Sequence, residues 1–109
     1  MAYYVFQAPY TAEAIANRVK APQNRAEAVR VAVEKMGGWV EGFWVAFGEY
    51  DTGEILQLPD NVSAAAFSMA VSAGGALKAI KPTPLLTLEE SVAAMRKAPE
   101  TGYRPPRSK

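Results

Sequence analysis

The stretch Trp39-Val40-Glu41-Gly42-Phe43-Trp44-Val45-Ala46-Phe47-Gly48-Glu49-Tyr50-Asp51-Thr52-Gly53-Glu54-Ile55-Leu56-Gln57-Leu58 decides the fold. Its first half, residues 39–47, is apolar in both registers, with Val40, Trp44 and Ala46 in one and Trp39, Phe43, Val45 and Phe47 in the other. That is the pattern of a strand covered on both faces. Gly48-Glu49-Tyr50-Asp51 reads as a tight connection, and residues 52–58 form a second strand that Pro59 stops. Together they make a hairpin. Its return strand begins on polar, glycine-containing Thr52-Gly53-Glu54, which points to a bulge or to something approaching the backbone closely.

Toward the N-terminus lies the clearest helical pattern. Ala26, Val29, Val33 and Met36 share one stripe, while Arg25, Glu27, Arg30, Glu34 and Lys35 take the other side. The spacing predicts a helix from Pro22 to the Gly37-Gly38 stop, with Arg30 paired to Glu27 and Glu34 along a solvated face. A shorter helix through Ala14, Ile15 and Val19 starts at Thr11 and breaks at Lys20-Ala21-Pro22, since proline disfavours helical geometry in the residue before it. Ahead of it, residues 2–8 are aromatic and β-branched and read as a first strand.

Toward the C-terminus, Asp60 or Asn61 caps a helix over residues 62–73, rich in Ala and Ser, with Phe67, Met69 and Val71 as its large apolar groups and Gly74-Gly75 as its stop. Asn61-Val62-Ser63 matches a glycosylation sequon but reads as the start of this helix. Residues 76–86 predict a fourth strand. Pro82 and Pro84 remove two donors from the same side of it, so it belongs at a sheet edge, beside the first strand. Thr87-Leu88-Glu89-Glu90 is a capping box for a last helix through Val92 and Met95, ending at Pro99. The order is βαββαβ plus a C-terminal helix: an α+β, ferredoxin-like domain over residues 1–98, with a four-stranded antiparallel sheet and helices on one face. Residues 99–109, with Arg104, Pro105-Pro106, Arg107 and Lys109, have no apolar periodicity and are expected to be a flexible tail.

Composition narrows the function. A chain of 109 residues supports one core. Its net charge of +1 is spread along the chain, which argues against a nucleic-acid partner. No apolar run approaches the roughly 18 residues of a membrane span, and no basic leader precedes the first strand, so a cytoplasmic protein is expected. The chain has neither Cys nor His. That removes disulfides, thiolate nucleophiles, the Ser-His-Asp device and the commonest metal and haem ligands, and no glycine-rich phosphate loop follows a strand; no cofactor and no metal is indicated.

Several stretches resemble the GYD-domain family: residues 44–51, from Trp44 to the Gly48-Glu49-Tyr50-Asp51 turn, Leu58-Pro59-Asp60-Asn61-Val62-Ser63-Ala64-Ala65-Ala66, the Ser72-Ala73-Gly74-Gly75-Ala76 turn, and Leu85-Leu86-Thr87. The family comprises small bacterial proteins, mostly of unassigned function, grouped with the dimeric α+β barrels. The resemblance implies a homodimer or higher oligomer in which two sheets pack together. Thr52-Gly53-Glu54 and Pro82-Thr83-Pro84 depart from its usual strands.

A sheet with helices on one face leaves the other face bare, and an apolar face of several hundred Å² calls for a partner. Tyr3, Tyr4, Phe6, Trp39, Phe43 and Trp44 are the candidates for the walls of a cavity holding a small apolar or aromatic ligand. Tyr50 and Asp51 are the candidate catalytic pair, with Glu49 beside them, because a phenol near a carboxylate handles protons on phenolic or enolic substrates. The structural alternative gives Asp51 backbone N–H partners and Tyr50 a packing role. Lys78 and Lys81, on the fourth strand, are candidates to meet an anionic ligand, although edge-strand lysines are more often a guard against sheet-to-sheet association. Three functions follow: a homo-oligomeric small-molecule-binding module, a cofactor-free oxygenase or isomerase acting on an aromatic or quinonoid metabolite, or a structural, assembly role.

Overall fold

The computed structural model describes residues 1–22 and 24–106. Its elements run β1 (Ala2–Ala8), α1 (Ala12–Lys20), α2 (Ala26–Lys35), β2 (Trp39–Val45), β3 (Thr52–Leu58), α3 (Asn61–Ala73), β4 (Lys81–Leu85) and α4 (Leu88–Lys97), with a 3-10 turn over Ala98–Thr101. The four strands form one antiparallel sheet in the order β2-β3-β1-β4. The ferredoxin-like α+β arrangement and the edge position of the Pro82/Pro84 strand are as the sequence predicts.

Alternation along β1 and β3 sorts the sheet into two faces. Tyr4, Phe6, Leu56 and Leu58 are buried with Val33 of α2 and with Ala64 and Phe67 of α3, while Val29 and Met36 pack around them. Phe6 meets Phe67 edge to face at 5.3 Å between ring centroids. The Tyr4 hydroxyl donates to Asn61 Oδ1 at 2.6 Å, fastening the middle of β1 to the first residue of α3 and engaging the sequon asparagine. Burial and the nearby Asp60 charge push the Tyr4 phenol above its ordinary range. The opposite face presents Tyr3, Val5 and Gln7 of β1 with Gly53, Ile55 and Gln57 of β3.

The caps follow the sequence. Thr11 accepts from the Ala14 N–H, Asp60 from that of Ser63, and Thr87 and Glu90 complete the reciprocal box at the head of α4. Gly37 takes a left-handed φ of 85° to end α2. Gly38 is fixed by space: a Cβ there would lie 2.0 Å from the Gln57 carbonyl oxygen, so only glycine lets β2 start this close to β3.

Four expectations need correction. First, α2 begins at Ala26 and not at Pro22, because the Asn24 side chain takes the Ala26 N–H at 2.9 Å, an alternative to a helical turn. Second, β2 ends at Val45: the Ala46 N–H closes the turn onto the Asp51 carbonyl, and Phe47 is wholly exposed. Third, the bulge lies in β2, between Val40 and Gly42, whereas β3 pairs continuously through Thr52-Gly53-Glu54. The extra residue, Glu41, reverses the alternation beyond it, so Phe43 and Val45 join Val40 on the helix side and Trp44 joins Trp39 on the open face. Fourth, regular β4 pairing begins at Lys81, not Ala76. An isolated bridge between Tyr10 and Leu77 continues the edge out of register, across Pro9, which has no N–H for the ladder.

No residue of α4 is buried, and its main contacts are with the 3-10 turn behind it. Residues 102–106 carry no regular structure and are exposed. The tail reading for Arg107 and Lys109 lies outside the described residues.

Candidate functional site

The carboxylate of Asp51 governs the end of the sheet where β1 leaves and β3 begins. Its Oδ2 accepts the Tyr10 N–H at 2.8 Å, and its own N–H donates to the Ala8 carbonyl at 3.0 Å. These bonds fix the path of the chain after β1 and seat the Tyr10 ring, which is buried, beneath α1. Arg18 of α1 lies over that ring, its guanidinium carbon 4.3 Å from the centroid, a cation–π contact.

Beside this stack is a cavity of about 320 Å³, walled by Tyr10, Arg18, Arg25, Phe43 and Val45 among others. A hollow of about 270 Å³ adjoins it, sharing Tyr10, Arg18 and Val45 and adding Ile15, Val19 and Asp51. The pair exists because α1 covers the sheet loosely: none of its residues is buried, and its apolar Ile15 and Val19 roof a space without filling it. Larger hollows of about 480 and 420 Å³ flank α4, but they are open grooves on an exposed helix.

Glu54 lies in the sheet floor on the helix side, cross-strand from Phe6 on β1 and from the cavity residue Phe43 on β2. It is 6% exposed, and the hydroxyl of Thr52 donates to its Oε2 at 3.2 Å. Burial pushes its carboxyl up to about 7, against a small opposing effect of that hydrogen bond. A carboxyl poised there is half protonated at neutral pH, able to give or take a proton.

The residues singled out in the sequence do not converge on one site. Tyr4 and Phe6 lie in the packed core. Trp39 and Trp44 lie on the open face, 44% and 59% exposed, with the Trp44 ring folded across Gly42. There Glu41 Oε1 accepts from Trp39 Nε1 and from Gln57 Nε2, both at 2.7 Å, and these bonds hold its carboxyl below the usual range. Phe43 is the one that lines the helix–sheet cavity. Glu49 is exposed and Tyr50 half-buried in the β2–β3 turn, while Asp51 is engaged with the backbone around Tyr10. Glu54, Tyr10, Arg18 and Arg25 are not among the site candidates that the sequence suggests. For Glu54 a signal existed, since it shares the parity of Leu56 and Leu58; Tyr10, Arg18 and Arg25 meet only through the tertiary fold.

The family model described as GYD domain matches residues 4–95, from the strand that anchors α3 to near the end of α4. The chain belongs to the GYD-domain family. No curated protein and no solved structure matches it significantly. Residues 4–95 include every residue of the cavity and Glu54, so the site is built from the GYD domain itself. Among the described residues of this GYD domain there is no cluster of acidic side chains suited to a metal ion and no helix long and apolar enough to cross a membrane.

Proposed function

We propose that this GYD domain is a cytoplasmic, homo-oligomeric small-molecule-binding module whose ligand sits between the sheet and the α1–α2 junction. One observation carries the reading: a partly enclosed cavity with Tyr10 and Phe43 as aromatic walls lies next to a buried, neutral-prone carboxyl. Sites for small molecules are typically concave and largely apolar, with a few convergent polar groups. The oligomeric part rests on the open face, where Tyr3, Trp39, Trp44 and Leu85 are exposed on one sheet surface, as in the paired sheets of the dimeric α+β barrels.

Native mass spectrometry of freshly purified protein tests both parts. The expected spectrum is an oligomer carrying a bound small molecule that is lost in Phe43→Ala. A single subunit, ligand-free before and after exposure to aromatic metabolites, overturns the reading.

A second reading, a cofactor-free oxygenase or isomerase, is favoured by Glu54 alone, because a carboxyl that titrates near neutrality suits abstraction of a phenolic or enolic proton. It is expected to show turnover that Glu54→Gln abolishes and Tyr50→Phe leaves intact. Equal turnover in Glu54→Gln removes it.

A further inference from the structure

The distribution of positive charge around the cavity bears on its ligand. Arg30, on the solvated face of α2, is held by both Glu27 and Glu34. Arg18 and Arg25 line the cavity, and among the described residues neither has a carboxylate within ion-pairing distance. Arg18 is also held in place: its guanidinium rests on the Tyr10 ring, and Tyr10 is fixed by Asp51 through its backbone N–H. A guanidinium stacked on an aromatic face has its polar edge left for in-plane hydrogen bonds, the geometry that grips a carboxylate through two parallel N–H bonds. Phe43 and Val45 line the same cavity and give it apolar surface.

The nearest acids do not fill that role. Asp51 opens onto the adjoining hollow and already accepts the Tyr10 N–H. Glu54 lies in the sheet floor, and no cation is among the causes that set its titration, so it is not the partner of either arginine.

We infer that the cavity binds a planar aromatic carboxylate, its ring against Phe43 and Val45 and its carboxylate on Arg18, with Arg25 closing the outer side. The inference rests on the small-molecule reading above and names the chemical class of that ligand. An aromatic acid of one or two rings is compatible in size with about 320 Å³.

The test compares naphthoate with naphthamide, which have the same rings and differ in charge, by NMR titration of the full chain. Naphthoate is expected to bind at least tenfold more tightly, shifting the amide signals of Tyr10, Arg18 and Phe43. Arg18→Gln is expected to erase the preference for the acid, Arg18→Lys to restore only part of it, and Arg25→Gln, at an exposed loop position, to weaken it severalfold with the fold untouched. Equal binding of acid and amide, unchanged in Arg18→Gln and Arg25→Gln, overturns the inference while leaving a small-molecule site standing. Absence of binding by both compounds at millimolar concentration overturns the inference and counts against the site as well.

Discussion

Glu54 sits where packing alone would place a leucine, in line with Leu56 and Leu58, and its chemistry makes folding sensitive to pH. In the unfolded chain its carboxyl titrates near 4.5, in the folded chain at about 7. Below the lower value both states are protonated and burial is unopposed. Between the two the unfolded chain has lost a proton that the folded chain keeps, so stability falls as pH rises, by no more than about 3 kcal/mol in all, and then levels off. Urea unfolding at pH 5 and pH 8 is expected to show this loss, and Glu54→Gln to remove most of it; a variant as pH-sensitive as the parent would assign the slope elsewhere. Asp51 works differently, through a backbone donor. Asp51→Ala orphans the Tyr10 N–H and is expected to cost about 1–3 kcal/mol, while Asp51→Asn keeps an acceptor oxygen and is expected to cost less. Equal losses in the two would mean that charge, not the hydrogen bond, matters there.

At the scale of elements, what could be read from sequence divides by how local its cause is. Caps, glycine stops and the proline edge strand were legible because each is settled within a few residues: Thr11, Asp60 and Thr87 carry the bonds that their types predict. The bulge at Glu41 was not, since the doubly apolar run of β2 fits either parity, and only pairing with β3 chooses between them. That single residue decides which aromatics reach the cavity and which reach the open face. The same reasoning explains why Arg18 and Tyr10 went unlinked: they meet because the Asp51 carboxylate, contributed by a distant turn, redirects the chain. The last helix is legible down to its reciprocal box, yet it buries nothing. Ten residues without tertiary support are marginal in water, so its cap matters more than a cap on a packed helix would. Thr87→Ala is expected to cost α4 about 1 kcal/mol, seen as faster amide exchange confined to residues 88–97. Protection unchanged there would show that the cap does not limit the helix.

For the whole molecule, shape and surface point the same way. A chain of this length folded compactly has a radius of gyration of about 13 Å, whereas here it is 17.7 Å, with extents of 59 × 38 × 22 Å. Along α4, which packs mainly against the 3-10 turn behind it, Leu88, Val92 and Met95 are exposed, and the sheet face away from α2 and α3 exposes Tyr3, Trp39 and Trp44. A lone subunit thus leaves both a helix and a sheet face in water, and the homo-oligomer proposed above would cover that face with the matching face of a second copy. Gly53 offers a test that separates assembly from folding. It lies on the open face with Gln7 and Trp44 as its cross-strand neighbours, and nothing stands within 4 Å of where its Cβ would be. Its φ is not in the left-handed region, so a larger residue strains nothing within one chain and is better suited to a strand than glycine. In a pair of sheets stacked face to face, about 10 Å apart, an arginine at this point has to enter the interface. Gly53→Arg is therefore expected to leave each subunit folded, with unchanged circular dichroism, and to weaken association at least tenfold in sedimentation equilibrium. If the variant associates as tightly as the parent, the sheet faces are not what joins the copies, and the contact has to be sought along α4.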